Sequence, residues 1–522
     1  MGAVPRCLAR FWPHLAVGAA LAALLAAVPP LARGPGTPAA GAGPPPPAPG
    51  PGADCSRRAV LGAYYSCKPA WSGNNGGATY RGVGAHQVEV VDYIPSLGPQ
   101  FASIGSVAAS VPAWLEDREV AIFAAYLNAN TQTYGRRVVV SVMRSDQPLG
   151  DAAGARSDAV AVDQRYHAFL DVGAFDPNFL DEAARRGIES IVGAQMPQSF
   201  LAAHAPLVWG LLPSTDTTTS MVAEYVAKRL GVASPARFGG EQSRPPVDGQ
   251  PRRFGIVYPT TNPDGGPSIL AGAGPQLARR LQRAGARVVA DVGYRAISGD
   301  ADAATEALNV VAQLRAARAT TVACLCDPIE PIYLTRAASS QGWYPEWLQT
   351  GFEDTDADQV GRLYDPSQWR HSFGISPLPT PLPPDQTPAW RVFRAADRTD
   401  PLPLDAQAVF GELQVAFAAI EAAGPRLDPY SFARAMFGLY LPTDPLFYYS
   451  RSDLGGIKDA REVWWDPQAV GADGGRGAYL QVDGGHRYAL GHWPPTPTRV
   501  FDRACLAPGS CGAPPSSARR LT

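Results

Sequence analysis

Lysine is almost missing from this chain. Of 45 basic residues only Lys68, Lys228 and Lys458 are lysines, and arginine supplies the rest. The 47 acidic residues leave a formal charge of −2, so there is no excess of positive charge for binding nucleic acid. Histidine is scarce and scattered, with no close pair beyond His486 and His492. No G-x-S-x-G elbow and no HExxH helix is present. Cysteines 324 and 326 have no second spaced pair to complete a four-ligand zinc site. Nothing assembles a nucleophile, a base and an oxyanion hole. The sequence therefore predicts no catalytic residues, no metal, no cofactor and no enzyme.

What is present is apolar and exported in character. Hydrophobic residues make up 46% of 522 positions, enough for about two to three packed domains. The first 14 residues, MGAVPRCLARFWPH, carry Arg6 and Arg10 and no acid, and residues 15–28 form a purely apolar run. Basic then apolar is the order of a secretory signal. The run is shorter than the roughly 20 residues that span a bilayer, so residues 1–33 read as a signal peptide, with a retained membrane anchor as the open alternative. Residues 34–54 are a Pro/Gly linker with no apolar pattern to bury. Both readings place the chain outside the cytoplasm, in the cell envelope or secreted. There an even number of cysteines implies disulfides. Setting Cys7 aside, the expected local pairs are Cys55–Cys67 and Cys505–Cys511. Cys324 and Cys326 would be poorly placed to bridge along a strand, where Cα atoms two apart stand about 6.5–7 Å from each other. They read as strand packing.

From residue 86 the chain alternates. HQVEVVDYIP is a strand. In WLEDREVAIFAAYLNAN helical spacing puts Trp114, Ile122 and Tyr126 on one face with Ala121 and Ala125. RRVVVSVMRSD, HAFLDVG, IESIVGA and PLVWGLLP are further strands, and DPNFLDEAARRG is a short helix with Asp176 as N-cap and Gly187 as stop. A second unit of the same order starts at RFGIVYP, after a polar insertion at 233–251. Strands alternating with helices make a mainly parallel sheet covered on both faces. Past PLPTPLPPDQTP the chain turns helical and has to return to the first unit to be buried.

Local motifs that look chemical fail their context. AGAGP at 271–275 has Leu277 where a dinucleotide loop needs glycine. EDTDAD at 353–358 has Gln359 where a calcium loop needs its turn glycine. It reads as acids at a helix start, where the helix dipole favours them. WSGNNGGATYRG lacks the GK[ST] ending of a phosphate loop. In CDPIEP the interest lies in Asp327 and Pro328, which follow the carboxyl end of a parallel strand. In open α/β sheets ligands bind just outside those ends.

The segment CDPIEPIYLTRAASSQGWYPEWLQTG (326–351), together with SGNNGGATYRGVGAHQVEVVDYIP and GGHRYALGHWP, resembles the type I periplasmic-binding-protein family, in its leucine-binding-like branch. The resemblance covers roughly residues 85–440. It implies an α/β fold of two doubly wound, Rossmann-like lobes joined by a hinge, with an irregular C-terminal tail. Lobe 1 would comprise residues 85–215 plus 377–440 and lobe 2 residues 216–376. Residues 441–522 would pack on lobe 1 and end flexibly. The implied activity is capture of a small polar solute, an amino acid or a related compound, by a monomer that docks an ABC permease. A tethered sensor or a partner-binding surface protein is the alternative, and a secreted α/β enzyme or a structural surface protein are further ones. Where the family carries a P-x-T/S-G-like ligand loop this chain reads YIPSLGPQFASIGSV, which departs from it. Candidate rim residues are Ser96, Ser103, Ser106, Phe175 and Gln195 on the first lobe. Facing them would be Tyr258, Thr260, Asp327 and Phe352 on the second.

Overall fold

A computed structural model describes residues 71–96, 112–148, 150–262, 265–296, 300–403, 405–442 and 445–511. The N-terminal segment, the linker, Cys55, Cys67, Ser103 and Ser106 lie outside these residues.

The first half builds a five-stranded parallel sheet. Its strands are β1 (Gln87–Ser96), β2 (Arg137–Pro148), β3 (Leu170–Val172), β4 (Glu189–Val192) and β5 (Val208–Gly210), in the order β2-β1-β3-β4-β5. Between them run α1 (Ala113–Asn130), α2 (Ala152–Gln164), α3 (Pro177–Arg185) and α4 (Gln198–Ala203). Asp176 caps α3 by accepting from the amides of Asn178 and Phe179. In α1 the buried face is Leu115, Glu119, Val120, Phe123, Ala124 and Leu127, while Trp114 is exposed. The face expected from Trp114, Ile122 and Tyr126 is thus offset. An acid, Glu119, stands on the inner face and hides its periodicity.

After β5 the chain crosses to the second lobe. There α5 (Thr215–Tyr225) buries Met221, Val222 and Tyr225 in the second core. The second sheet contains the parallel strands β6 (Phe254–Thr261), β7 (Val288–Arg295), β8 (Thr321–Cys324), β9 (Glu346–Gln349) and β10 (Ser372–Ser376). They alternate with α6 (Ala273–Arg283), α7 (Asp300–Ala316), α8 (Glu330–Ser340) and the short α9 (Asp358–Gly361) and α10 (Pro366–Trp369). A buried Glu346 ties the 233–251 insertion to this sheet. It accepts from the amides of Arg237 and Phe238 and forms a two-nitrogen pair with Arg252.

The chain then returns to the first core with α11 (Pro388–Ala396), α12 (Ala406–Ala423) and α13 (Pro429–Gly438), followed by the hairpin β11 (Tyr440–Pro442) and β12 (Leu446–Tyr448). The tail corrects an expectation. It does not stay on lobe 1. β13 (Asp459–Val470) pairs antiparallel with β10, and β14 (Arg476–Gln481) and β15 (Arg487–Ala489) pair with β13. The reason is an open edge. β10 needs a neighbour, and β13 supplies one while burying Ala460, Val463, Trp464 and Trp465.

The crossing before β13 runs beside the crossing after β5. Gly210 and Gly455 form a parallel bridge, and the Gly456 amide donates to Leu212 O at 3.2 Å. A Cβ on Gly455 would stand 2.4 Å from the Ser214 nitrogen, so the two crossing strands lie as close as glycine permits.

Candidate functional site

The loops that leave the carboxyl ends of the two sheets meet. Gln195 follows β4 on lobe 1. Its main-chain N–H donates to Oε1 of Glu353, which follows β9 on lobe 2, at 3.1 Å. Its side-chain amide donates to Gly351 O at 3.0 Å and to Thr218 Oγ1 at 3.3 Å. Gln195 is 1% exposed, yet its Oε1 accepts no hydrogen bond.

Glu353 and the following Asp354 hold φ values of 46° and 58°, a left-handed conformation unusual for two successive side-chain-bearing residues. Backbone strain of this kind collects at functional sites. Glu353 keeps some solvent-accessible surface but is hemmed in by protein. That desolvation, then Asp354, pushes its carboxyl up to about 8; the Gln195 N–H opposes the rise, and Asp327 adds to it.

Lobe 1 contributes a second group of acids at the same pole. A Cβ on Gly173, just past β3, would meet Asp92 Oδ1 at 3.2 Å. A Cβ on Gly193, just past β4, would meet Glu412 Oε1 at 2.6 Å. Glu412 comes from α12, and its favourable contact is the Gly173 N–H. Burial, then Asp92, Asp171 and Asp405, holds its carboxyl well above the usual carboxylate range. Asp92 is pushed up to about 7, by burial first and then by Asp405 and Glu116, with Arg144 opposing. Glu119, from α1, is pushed up to about 9 by burial, then by Asp405, Asp92 and Glu116, and its Oε2 has no partner. Arg144 is engaged elsewhere, with Glu116 at 2.7 Å and Asp117 at 3.0 Å.

The expected rim residues divide. Gln195 stands where the lobes touch. Ser96 is half-buried at the end of β1, opposite Pro148. Phe175 is partly buried against the first core. The Thr260 hydroxyl donates to Tyr294 O at 2.9 Å. Two residues are corrected. Tyr258 is buried under α6, its ring against Gly274, and Phe352 is wholly buried in the second core. Both are apolar surfaces that packing has claimed, so neither lies on the rim.

Asp327, which follows β8, is already committed. Oδ1 accepts from the amides of Ile329 and Glu330 at 2.8 and 3.1 Å, and Oδ2 accepts from Tyr294 Oη at 2.7 Å. It is the cap of the turn into α8. Glu330, the first residue of that helix, is buried with neither carboxylate oxygen hydrogen-bonded. Just ahead of this turn in the chain the sulfurs of Cys324 and Cys326 are brought into bonding contact. The chain turns as β8 ends, drawing their Cα atoms to 5.1 Å, so the extended spacing that argued against a bridge does not apply. Cys505 and Cys511 are paired in the same way.

Sequence reasoning passed over Glu353, Asp92, Glu119 and Glu412. The run EDTDAD was a visible signal, read as a helix start. The other three are single acids inside apolar segments, and only the inverted polarity of those positions hinted at them.

No protein-family model matches the sequence, and no curated protein matches it either. Solved structures do match. A substrate-binding protein of an ABC transporter from Aeropyrum pernix is 14% identical, with a TM-score of 0.53 over 78% of this chain and 96% of its own. A fatty acid ABC transporter substrate-binding protein from Thermomonospora curvata is 13% identical, with a TM-score of 0.52 over 82% and 97%. A solute-binding protein from R. palustris, in complex with 4-hydroxybenzoate, is 12% identical, with a TM-score of 0.52 over 78% and 98%. A leucine-binding protein from Thermotoga maritima is 12% identical, with a TM-score of 0.50 over 72% and 95%. With two sheets built on parallel strands, loops after those strands that meet at Gln195 and Glu353, and two crossings packed side by side, this chain has the fold of the type I periplasmic binding proteins.

Proposed function

We propose that this protein is an exported solute-binding protein that captures a small polar solute between its lobes and presents it to an ABC permease. One observation carries the reading. The loops after β4 and β9 touch through Gln195, Glu353 and Gly351, which supports reading the two strand-end surfaces as facing each other across a binding cleft. Strand ends are where open α/β sheets bind ligands, and a hinge of close-packed crossings lets rigid lobes close. Ligand favours the closed form by its higher affinity for that form. The ligands named for the structural neighbours range from hydroxybenzoate to fatty acid and leucine. That range leaves the solute class to be read from this chain's own cleft. Export, cleavage or retention of residues 1–33, and oxidation of the Cys324–Cys326 and Cys505–Cys511 pairs belong to the same reading.

A thermal-shift screen of residues 35–522 tests it. A solute at 100 times its Kd adds about 2.7 kcal/mol, seen as a saturating rise in Tm. Cooperative melting that no amine, amino acid, amide, carboxylate or sugar displaces would sink the reading.

A further inference from the structure

The chain enters α5 through the run STDTTTS at 214–220. Capping this helix takes only the first residue, since the Ser214 hydroxyl accepts from the Thr217 N–H at 3.2 Å. Threonine forms helices less readily than alanine. Neither capping nor propensity therefore accounts for the threonines at 215, 217, 218 and 219. We infer that Thr215 to Thr219 form the pivot on which the two lobes turn, a set of positioning residues that holds both lobes while the contacts of Gln195 with Glu353 and Gly351 open and close. The purpose of the pivot rests on the solute-binding reading.

Each residue of the run reaches a different partner. The Thr215 N–H donates to Met196 O at 3.0 Å. Asp216 Oδ2 accepts from the Gln198 N–H at 3.0 Å. The Thr217 hydroxyl donates to Asp453 Oδ2 at 2.7 Å, and Thr218 Oγ1 accepts from the side-chain amide of Gln195 at 3.3 Å. Met196 packs in the first core, as do Leu454 and Ile457 beside Asp453, so these four bonds hold lobe 1. Lobe 2 is held by one side chain. Gln276 of α6 donates from Nε2 to Asp216 Oδ1 at 2.7 Å and accepts from the Thr219 hydroxyl at 2.8 Å. Its neighbours Leu277 and Ala278 belong to the second core. Thr215, Thr218 and Thr219 are buried, where a polar group needs such partners.

The run stands beside the two crossings. The Ser214 nitrogen leaves no room for a Cβ on Gly455, and the amides of Gly456 and Ile457 donate to Leu212 O and Leu211 O at 3.2 and 3.1 Å. In a hinge motion displacement grows with distance from the axis, so bonds beside the crossings survive a rotation that parts the strand-end loops. The partner of Thr217 is itself pinned. Asp453 Oδ2 is paired at 2.7 Å with Lys458, one of the three lysines of the chain, and Oδ1 accepts from the Gly455 N–H at 3.1 Å. The Lys458 ammonium, itself buried, also donates to Gly455 O. A buried pair of this kind resists separation, because parting it strands a charge. Gln195 marks the boundary of the pivot. Its side-chain amide is shared between Thr218 and Gly351, while its main-chain N–H goes to Glu353.

The test is residue-resolved hydrogen–deuterium exchange on the purified protein without added solute. The amides of Gln198 and Thr215 should be protected at least tenfold more than that of Gln195, because the first two donate within the pivot and the third donates to Glu353. Thr217→Val should speed exchange at Gly456 and Ile457, and Gln276→Leu at Gln198, each at least tenfold. Val91 in the first core should keep its protection in both variants, which a general loss of stability would not allow. Ser220→Ala is the control. Its hydroxyl donates to Asp216 O of its own helix, and its removal should leave all these amides within twofold of the parent. Gln198 and Thr215 exchanging as fast as Gln195 would show the run opening with the cleft and overturn the inference. Thr217→Val and Gln276→Leu profiles like that of Ser220→Ala would overturn it too. If one variant fails to fold, the parent comparison and the other variant still decide. The expected exchange pattern in a protein that binds no member of the solute panel leaves the pivot standing and sinks the solute-binding reading.

Discussion

The carboxylate of Glu412 occupies the space where a side chain at position 193 would have to go. A Cβ on Gly193 would stand 2.6 Å from Oε1. The pair ties a helix from the C-terminal half of lobe 1 to the loop after β4, whose other end, at Gln195, reaches lobe 2. Substitution at 193 therefore addresses the cleft more than the core. Gly193→Ala should displace the buried end of Glu412 and cost about 1–3 kcal/mol in stability. Solute affinity should fall several-fold. Urea unfolding and calorimetry on the same preparation separate the two, and an unchanged affinity would remove Glu412 from the site.

Stability should fall as pH rises. Burial holds Asp92 near 7 and Glu119 near 9, whereas their ordinary values are 3.8 and 4.5. Between those limits the folded state binds more protons than the unfolded state. Stability is then greatest at the acid end of the window and declines toward pH 9, by up to about 1.4 kcal/mol per pH unit for each group. Urea midpoints at pH 5, 6, 7 and 8 read the slope. Asp92→Asn should flatten it up to pH 7. A midpoint that climbs across this range would contradict the burial of these acids in their protonated form.

Asp327→Ala should weaken the fold more than the binding. The substitution removes acceptors for the amides of Ile329 and Glu330 and for Tyr294 Oη. Losing such a cap typically costs about 0.5–2 kcal/mol. Solute affinity measured below the melting range should stay within about threefold, a difference of roughly 0.7 kcal/mol. A loss of binding in a variant that melts like the parent would return Asp327 to the site.

The C-terminal strands should be indispensable to lobe 2. Trp464 on β13 is 2% exposed and lies opposite Phe373 of β10, its ring 5.2 Å from that of Phe501. Trp464→Ala should cost about 3–5 kcal/mol, read as a lowered urea midpoint. A cost below 1 kcal/mol would mean that the tail is an accessory to the second sheet.

The order of strands and helices was legible because each strand is a short apolar run closed by glycine, proline or a capping acid. Asp176, Pro177 and Gly187 punctuate α3 as the sequence implies. The face of α1 was not legible, since Glu119 interrupts the apolar stripe that defines it. β13 was not legible as a partner of β10, because DAREVWWDPQAV places charges among its apolar positions. Two of those charges are satisfied by distant residues: Glu462 is paired with Arg229 at 2.6 Å, and Arg461 donates to Leu378 O.

By itself the sequence determined two alternating α/β units, a polar insertion and a Pro-rich crossing, since local periodicity and turn chemistry act over a few residues at a time. Tertiary structure alone decided which lobe receives the tail and which acids meet at the strand ends. Asp92, Glu119, Glu353 and Glu412 are unremarkable one by one. Their character comes from desolvation and from neighbouring acids, and both depend on packing between elements far apart in the sequence.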